Sequence, residues 1–320
     1  MVEKYQKIII PSRPHPDVIV GIFLLVEFGS KKYPGLKDVE IDIWQELPAG
    51  DTSSLNENGV LLLDVGEGKF DHHKTNKNLS QLIAEDLGVS SEPALKKMLN
   101  YAERDDKYGL GTVSKDPLDK AFGLSGLTAA LNKTEGSASK VVKIILPLLG
   151  AHYLEEKRRT YELPKEFDKK LEQGKAQVFG VKQNKKNLKV VVLESDNLSM
   201  QGWLKSVSGI KADVVCQKNS SGFTNIMTRP LKNIDLRWLA AYLRKAESEV
   251  KNKKLTCSTF DLMKAGKIGE VPEWYYDRAT NSVLNGGASP KGILPTVIPL
   301  ETIIEIIKQA LALDAPGKGK

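Results

Sequence analysis

Cysteine, histidine and long apolar runs are all scarce in this chain of 320 residues. Its two cysteines, Cys216 and Cys257, stand far apart and without metal-binding spacing, which excludes a disulfide scaffold and a thiolate zinc cluster. They read as buried or free thiols of a reducing compartment. No apolar run approaches the roughly 20 residues of a membrane-spanning helix, and the first residues lack the layout of a signal peptide. A cytoplasmic protein with no membrane partner is therefore expected. Internal repeats and low-complexity tracts are missing as well.

What is present is an ordinary globular composition, 41% hydrophobic and 27% charged, long enough for two domains. The formal net charge of +7 favours an anionic partner. Of the four histidines, two are adjacent, His72 and His73. They close the stretch Gly59 to Thr75, which opens on an apolar run, Val60 to Leu63, and changes polarity abruptly at Asp64. A carboxylate at the end of a buried strand is costly unless something pairs with it. Asp71, His72 and His73 follow one turn later, so hard oxygen and imidazole donors cluster on a single strand-turn unit, as divalent metal sites require.

Along the chain, Lys7 to Ile10 reads as a strand and Val18 to Phe28 as an apolar helix. His15 and Asp17 thus fall at a strand-to-helix turn, where open α/β sheets place ligands. Strands are expected at Val39 to Trp44 and Val60 to Leu63. Helices are expected at Leu79 to Leu87, Pro93 to Glu103, Asp119 to Leu131 and Ser137 to Leu149. Asp105 and Asp106 lie just beyond the second of these helices, on the wrong side of its dipole. A charged helical connector follows from His152 to Lys175. Strands then alternate with helices: Ala176 to Val181, Leu188 to Leu193, a helix at Ser199 to Val207, Val214 to Gln217, and Phe223 to Thr228. A long helix at Ile234 to Lys251, a breaker-rich region with Trp274, Tyr275 and Tyr276, and a helix at Leu300 to Leu313 complete the chain. The fold class expected is α/β, a mainly parallel sheet flanked by helices over residues 1–150, a helical connector at 151–180, and a smaller α/β substrate-binding domain at 181–320.

His15-Pro16-Asp17, Leu61-Leu62-Leu63-Asp64, Asp71-His72-His73 and Arg104-Asp105-Asp106, in that order, resemble the four motifs of the DHH phosphoesterase superfamily, the RecJ-like proteins. The likeness is closest to the MYG-type metal-dependent exonuclease branch and covers roughly the first 130 residues. Gly222 to Arg229 and the Gly286-Gly287 loop are similar in order to the superfamily's substrate-binding domain. The segment Pro11-Ser12-Arg13-Pro14 lacks a histidine that members carry there.

The resemblance implies a two-metal site, Mn²⁺ by preference and Mg²⁺ as the alternative. Asp64 would bridge the ions, Asp17, His72 and one of Asp105 and Asp106 would complete one shell, and His15 would serve the other ion. Asp71 would be a further ligand, or would orient the histidines by hydrogen bonding. His73 would face the substrate, and Arg229, Gly286, Gly287 and Lys291 would hold its phosphate from the second domain. Such a site activates water between cations about 3.5–4 Å apart. The implied function is a metal-dependent phosphodiesterase, a nuclease or exonuclease acting on single-stranded nucleic acid or short oligonucleotides, compatible with a homodimer. Two alternatives stay open: a phosphohydrolase of pyrophosphate, nucleotides or cyclic dinucleotides, and a nucleic-acid-binding module whose site has lost one ion. For Arg229 the plainer role is an ordinary salt-bridging arginine, for the two glycines a turn, and for Trp274, Tyr275 and Tyr276 a place in the core.

Overall fold

A computed structural model describes residues 4–43, 52–66, 68–73, 75–109, 111–230, 233–287 and 291–313. The chain divides into two compact units, Met1–Arg158 and Arg159–Lys320. Both are α/β.

In the first unit, β1 (Lys7–Ile10) leads into α1 (Pro16–Phe28), then β2 (Glu40–Ile43), α2 (Thr52–Glu57) and β3 (Val60–Leu62). The three strands form a parallel sheet in the order β2-β1-β3, with Ile8 opposite both Ile41 and Leu61. Helices α3 (Leu79–Asp86), α4 (Lys96–Tyr108), α5 (Pro117–Phe122), α6 (Leu124–Thr134) and α7 (Ala138–Lys157) supply the remainder. Parallel strands need both faces covered, which explains why β1 is apolar at consecutive positions and buried from Ile8 to Ile10. Helix α1 is apolar all round and buried from Pro16 to Leu25, because α3, α4 and α7 pack against it on different sides. Gly21 permits a close approach to α3: a Cβ there would lie 2.8 Å from Ile83 Cδ1. Gly59 has a different task, entering β3 at φ +78° with the Lys4 carbonyl 2.7 Å from where a Cβ would stand.

The second unit contains α8 (Leu163–Glu172), β4 (Ala176–Gln183), β5 (Lys186–Glu194), α9 (Ser199–Lys205), β6 (Val214–Lys218), β7 (Thr224–Thr228), α10 (Arg237–Val250), α11 (Thr259–Leu262), β8 (Gly266–Ile268), β9 (Val271–Asp277), β10 (Ser282–Asn285) and α12 (Leu300–Ala312). Its seven-stranded sheet runs β4-β5-β6-β7-β10-β9-β8, antiparallel except between β5 and β6. Asn184 and Lys185 close the first hairpin with φ of +47° and +65°, the two left-handed residues that a tight two-residue turn requires.

Several expectations are corrected by tertiary context. The three strands expected in the first unit form its parallel sheet among the described residues, but the larger, mixed sheet belongs to the second unit, which is not the smaller of the two. The region around Trp274 is a three-stranded antiparallel meander, in which the breakers are the turns and Trp274 is fully buried. The helix expected at Asp119 to Leu131 is two helices, parted at Gly123 where the backbone is extended. Residues 151–180 comprise the end of α7, a π-helical turn at Arg158–Glu162, α8 and the start of β4. Trp44 lies outside the described residues.

The second unit is tied together by a buried cation that has no carboxylate partner among the described residues. Arg244, fully buried on α10, donates to the carbonyls of Trp274, Leu262, Lys264 and Gly266 at 2.6–3.1 Å. Burial lowers its pKa to about 10, and the four carbonyls compensate a charge that has left water. One turn on, buried Glu247 accepts from Trp274 Nε1 and Thr296 Oγ1. Arg244→Met should lower unfolding stability by about 3–5 kcal/mol, since it leaves several buried carbonyls unpaired at once. Urea titration checks this, and an unchanged midpoint would rule it out.

Candidate metal centre

Strand order brings the polar residues together. Because β1 and β3 are parallel neighbours, the loop after β1 and the loop after β3 leave the sheet at the same end, the usual ligand end of an open α/β sheet. Proline at the first helical position starts α1 and places Asp17 in the first turn, 2% exposed. Its Oδ2 accepts from the Leu79 amide at 3.4 Å. Leu79 opens α3, whose start is fixed by an Asn78–Gln81 capping box.

Asp64 follows β3 at φ +57°, a left-handed conformation uncommon outside glycine. Its amide donates to the Phe70 carbonyl at 3.3 Å, and Leu63 and Phe70 form an isolated parallel bridge, so Asp64 to Asp71 folds back beside the strand. Lys69 anchors this loop through Asp86, at 2.6 Å, and through the Tyr33 hydroxyl. Strain of order 1–3 kcal/mol at such a residue persists only where the surroundings enforce it.

The result is two overlapping donor groups. Asp64, His72 and His73 form one, and Asp17, His72 and Asp106 the other, with ligand atoms in each within 4.8 Å of one another. His72 Nε2 is shared, 3.0 Å from Asp64 Oδ1 and 3.8 Å from Asp17 Oδ2. Despite that proximity, Asp64 Oδ1 is buried and makes no hydrogen bond. A nitrogen and an oxygen facing each other without an aligned proton between them suit a cation that both can ligate. His73 Nδ1 lies 2.7 Å from Asp71 Oδ1 and 3.6 Å from Asp64 Oδ1, while its ring stacks on His72 with centroids 5.0 Å apart.

Charge is crowded here. Burial, and then the charges of Asp106 and Asp64, push Asp17 up to about 6. Burial also raises Asp64, against the opposing pull of His72 and His73. His73 is raised chiefly by its hydrogen bond to Asp71, which favours the imidazolium.

Asp17, Asp64, His72, His73 and Asp106 therefore converge, and three other residues are reassigned. Asp71 belongs to neither donor group and orients His73, accepting also from the His73 amide at 3.0 Å. Asp105 is turned away from Asp106 by the roughly 100° step of a helix. Its place at seven residues from Met98 and three from Ala102 puts it on the buried stripe of α4, a periodicity visible in the sequence. His15 is exposed at the N-cap of α1, makes no side-chain cap bond and stands outside both groups. What sequence reasoning missed is the Leu79 amide and the Lys69–Asp86–Tyr33 anchor, neither of which has a local signature.

In the second unit Arg229, Gly286 and Gly287, expected to hold phosphate, are engaged otherwise. Arg229 pairs with Asp213 at 2.7 Å and also donates its amide to the Asp213 carbonyl. Gly286 and Gly287 have φ of +83° and +81°, but their amides donate to the Glu273 and Leu284 carbonyls, as turn residues do. Arg229 borders a wide basic groove that includes Lys205 and Arg278, whereas Gly286, Gly287 and the exposed Lys291 do not.

No family model matches the chain, and no curated protein matches it.

The position of Asp17 gives a signed pH prediction. Its folded pKa of about 6 exceeds the ordinary 3.8, so the folded chain binds this proton more tightly than the unfolded one. Stability from this group is fully present below 3.8 and is lost as pH rises through about 6. In chelator at pH 7, Asp17→Asn should thus stabilise the protein by about 1–3 kcal/mol, a gain that shrinks toward pH 4. Thermal melts across this range test it, and destabilisation by the variant at pH 7 would contradict the crowding argument.

Proposed function

We propose that this chain is a metal-dependent phosphodiesterase that hydrolyses single-stranded nucleic acid or short oligonucleotides. The observation that carries the reading is Asp64 Oδ1, buried and without a hydrogen bond where two acid–imidazole groups overlap. The net charge of +7 supports an anionic substrate.

The residues present fit a divalent cation. Carboxylate oxygens combined with imidazole nitrogens suit Mn²⁺ and admit Mg²⁺. Asp17, Asp106 and His72 would hold one ion, and Asp64, beside His72, would offer a carboxylate to a second. When bound, such ions lower the pKa of water and neutralise the charge of the phosphate oxygens.

The protein's own contribution is orientation and proton supply. The left-handed turn at Asp64 and the capped start of α3 fix the carboxylates of Asp64 and Asp17 before any substrate arrives. Asp71 engages His73 through Nδ1, leaving Nε2 for the substrate, and the side chain is 67% exposed. The hydrogen bond to Asp71 raises the His73 pKa and so favours the imidazolium, whose Nε2–H can donate to the leaving oxygen as a general acid. Asp64 and Asp17 must be ionised to bind metal, so activity should fall at acid pH as they protonate and at alkaline pH as His73 loses its proton.

Labelled single-stranded oligonucleotides incubated with Mn²⁺ provide the test. Cleavage is expected, with Asp64→Asn losing at least 100-fold and His73→Gln about 10²–10⁴-fold, the usual worth of a general acid. Absence of cleavage by the wild type, or equal cleavage by Asp64→Asn, would overturn the reading. Phosphate release from pyrophosphate without oligonucleotide cleavage would move it to small molecules.

A further inference from the structure

A cavity of about 300 Å³ opens in the first unit among α1, α4, α5 and α6, and none of the five converging residues lines it. His15 and Asp105, the two residues expected in the metal site and not found there, do. They are close in sequence to Asp17 and Asp106, so the cavity and the centre share the start of α1 and the end of α4.

Exposed His15 and Lys120 line it, but its buried polar side chains are short of donors. Asp105 is 7% exposed, and its carboxylate makes no hydrogen bond or ion pair with any described residue. Thr128 is 2% exposed and its hydroxyl has no partner. Asn132 commits its amide nitrogen to the Pro14 carbonyl at 3.0 Å, which leaves its buried Oδ1 unpaired. Tyr101, at the side, is already paired with Ser125 at 2.6 Å and offers mainly its ring. Two unpaired acceptors and a hydroxyl, arranged beside an aromatic ring, ask for a flat ligand with adjacent N–H groups. The volume exceeds the need of one ion and is at the lower end of small-molecule sites.

We propose that this cavity receives the base of a nucleotide substrate and prefers guanine, whose ring N–H and neighbouring amino group present two adjacent donors to the Asp105 carboxylate. Adenine and cytosine offer an amino group beside a ring acceptor on the same edge, which meets a carboxylate unfavourably. Uracil offers a single N–H flanked by carbonyls. The proposal rests on the reading of the substrate as a nucleic acid and adds a base preference to it.

The test omits both metal and phosphate. Guanosine, adenosine, cytidine and uridine are titrated calorimetrically into the full chain in chelator, up to millimolar concentration. Guanosine is expected to bind at least tenfold tighter than the other three. Asp105→Asn should weaken it at least tenfold, and Asp64→Asn should leave it unchanged. Equal binding of the four nucleosides, no binding of any (a cavity that holds water only), or full guanosine affinity in Asp105→Asn would overturn the proposal. Should Asp105→Asn fail to show a cooperative melt, the near-isosteric Thr128→Val decides, a severalfold loss of guanosine affinity supporting the site and no change refuting it. Oligonucleotide cleavage without nucleoside discrimination removes only this cavity's role. Discrimination without cleavage removes only the phosphodiesterase.

Discussion

Two donor groups that share His72, one with Asp17 and Asp106 and the other with Asp64 and His73, form the interaction on which the first unit turns. Like charges so placed repel, and desolvation adds to the cost, which is why Asp17 holds its proton up to about pH 6. Within the cluster His72 and His73 offset only part of this. The rest comes from around it: the parallel β1–β3 pair, the apolar α1 buried on several sides, and the capped start of α3 that presents an amide to Asp17.

This dependence orders the rest of the unit. A sheet of only three strands suffices because its task is to bring two loops to one end, and the covering helices make it rigid. Gly21 allows α1 and α3 to approach closely enough for the Leu79 amide to reach the Asp17 carboxylate. The Lys69–Asp86–Tyr33 cluster anchors the Asp64 loop to α3 through Asp86. Strain at Asp64 is thus enforced by neighbours on three elements.

The second unit solves a different problem. Its meander, β8 to β10, packs Val271, Trp274, Tyr276 and Val283 into the core, and buried Arg244 secures it further by gathering carbonyls from separate segments. Arg229 and the glycine pair, attractive as phosphate ligands in sequence, are used internally, the arginine by Asp213 and the glycines by the turn after β10. A cationic side chain or a glycine in isolation says little, because both are equally at home in such structural duties.

The sequence by itself determined the strand β1, the helix α1 and the abrupt polarity change at Asp64, since these depend on local periodicity and on turn chemistry. It also determined that Asp17, Asp64 and the paired histidines would sit at element ends. The buried stripe of α4, Met98, Ala102 and Asp105, was equally readable, and it separates Asp105 from Asp106 by helical geometry alone. Only the tertiary structure decided that His15 faces a cavity while Asp17, two residues on, joins the cluster, because side-chain direction at a helix start depends on what packs against it. The same holds for the meander around Trp274 and for the partners of Arg229. Contacts between distant segments have no period to read, and the free energy that selects them appears only when those segments meet.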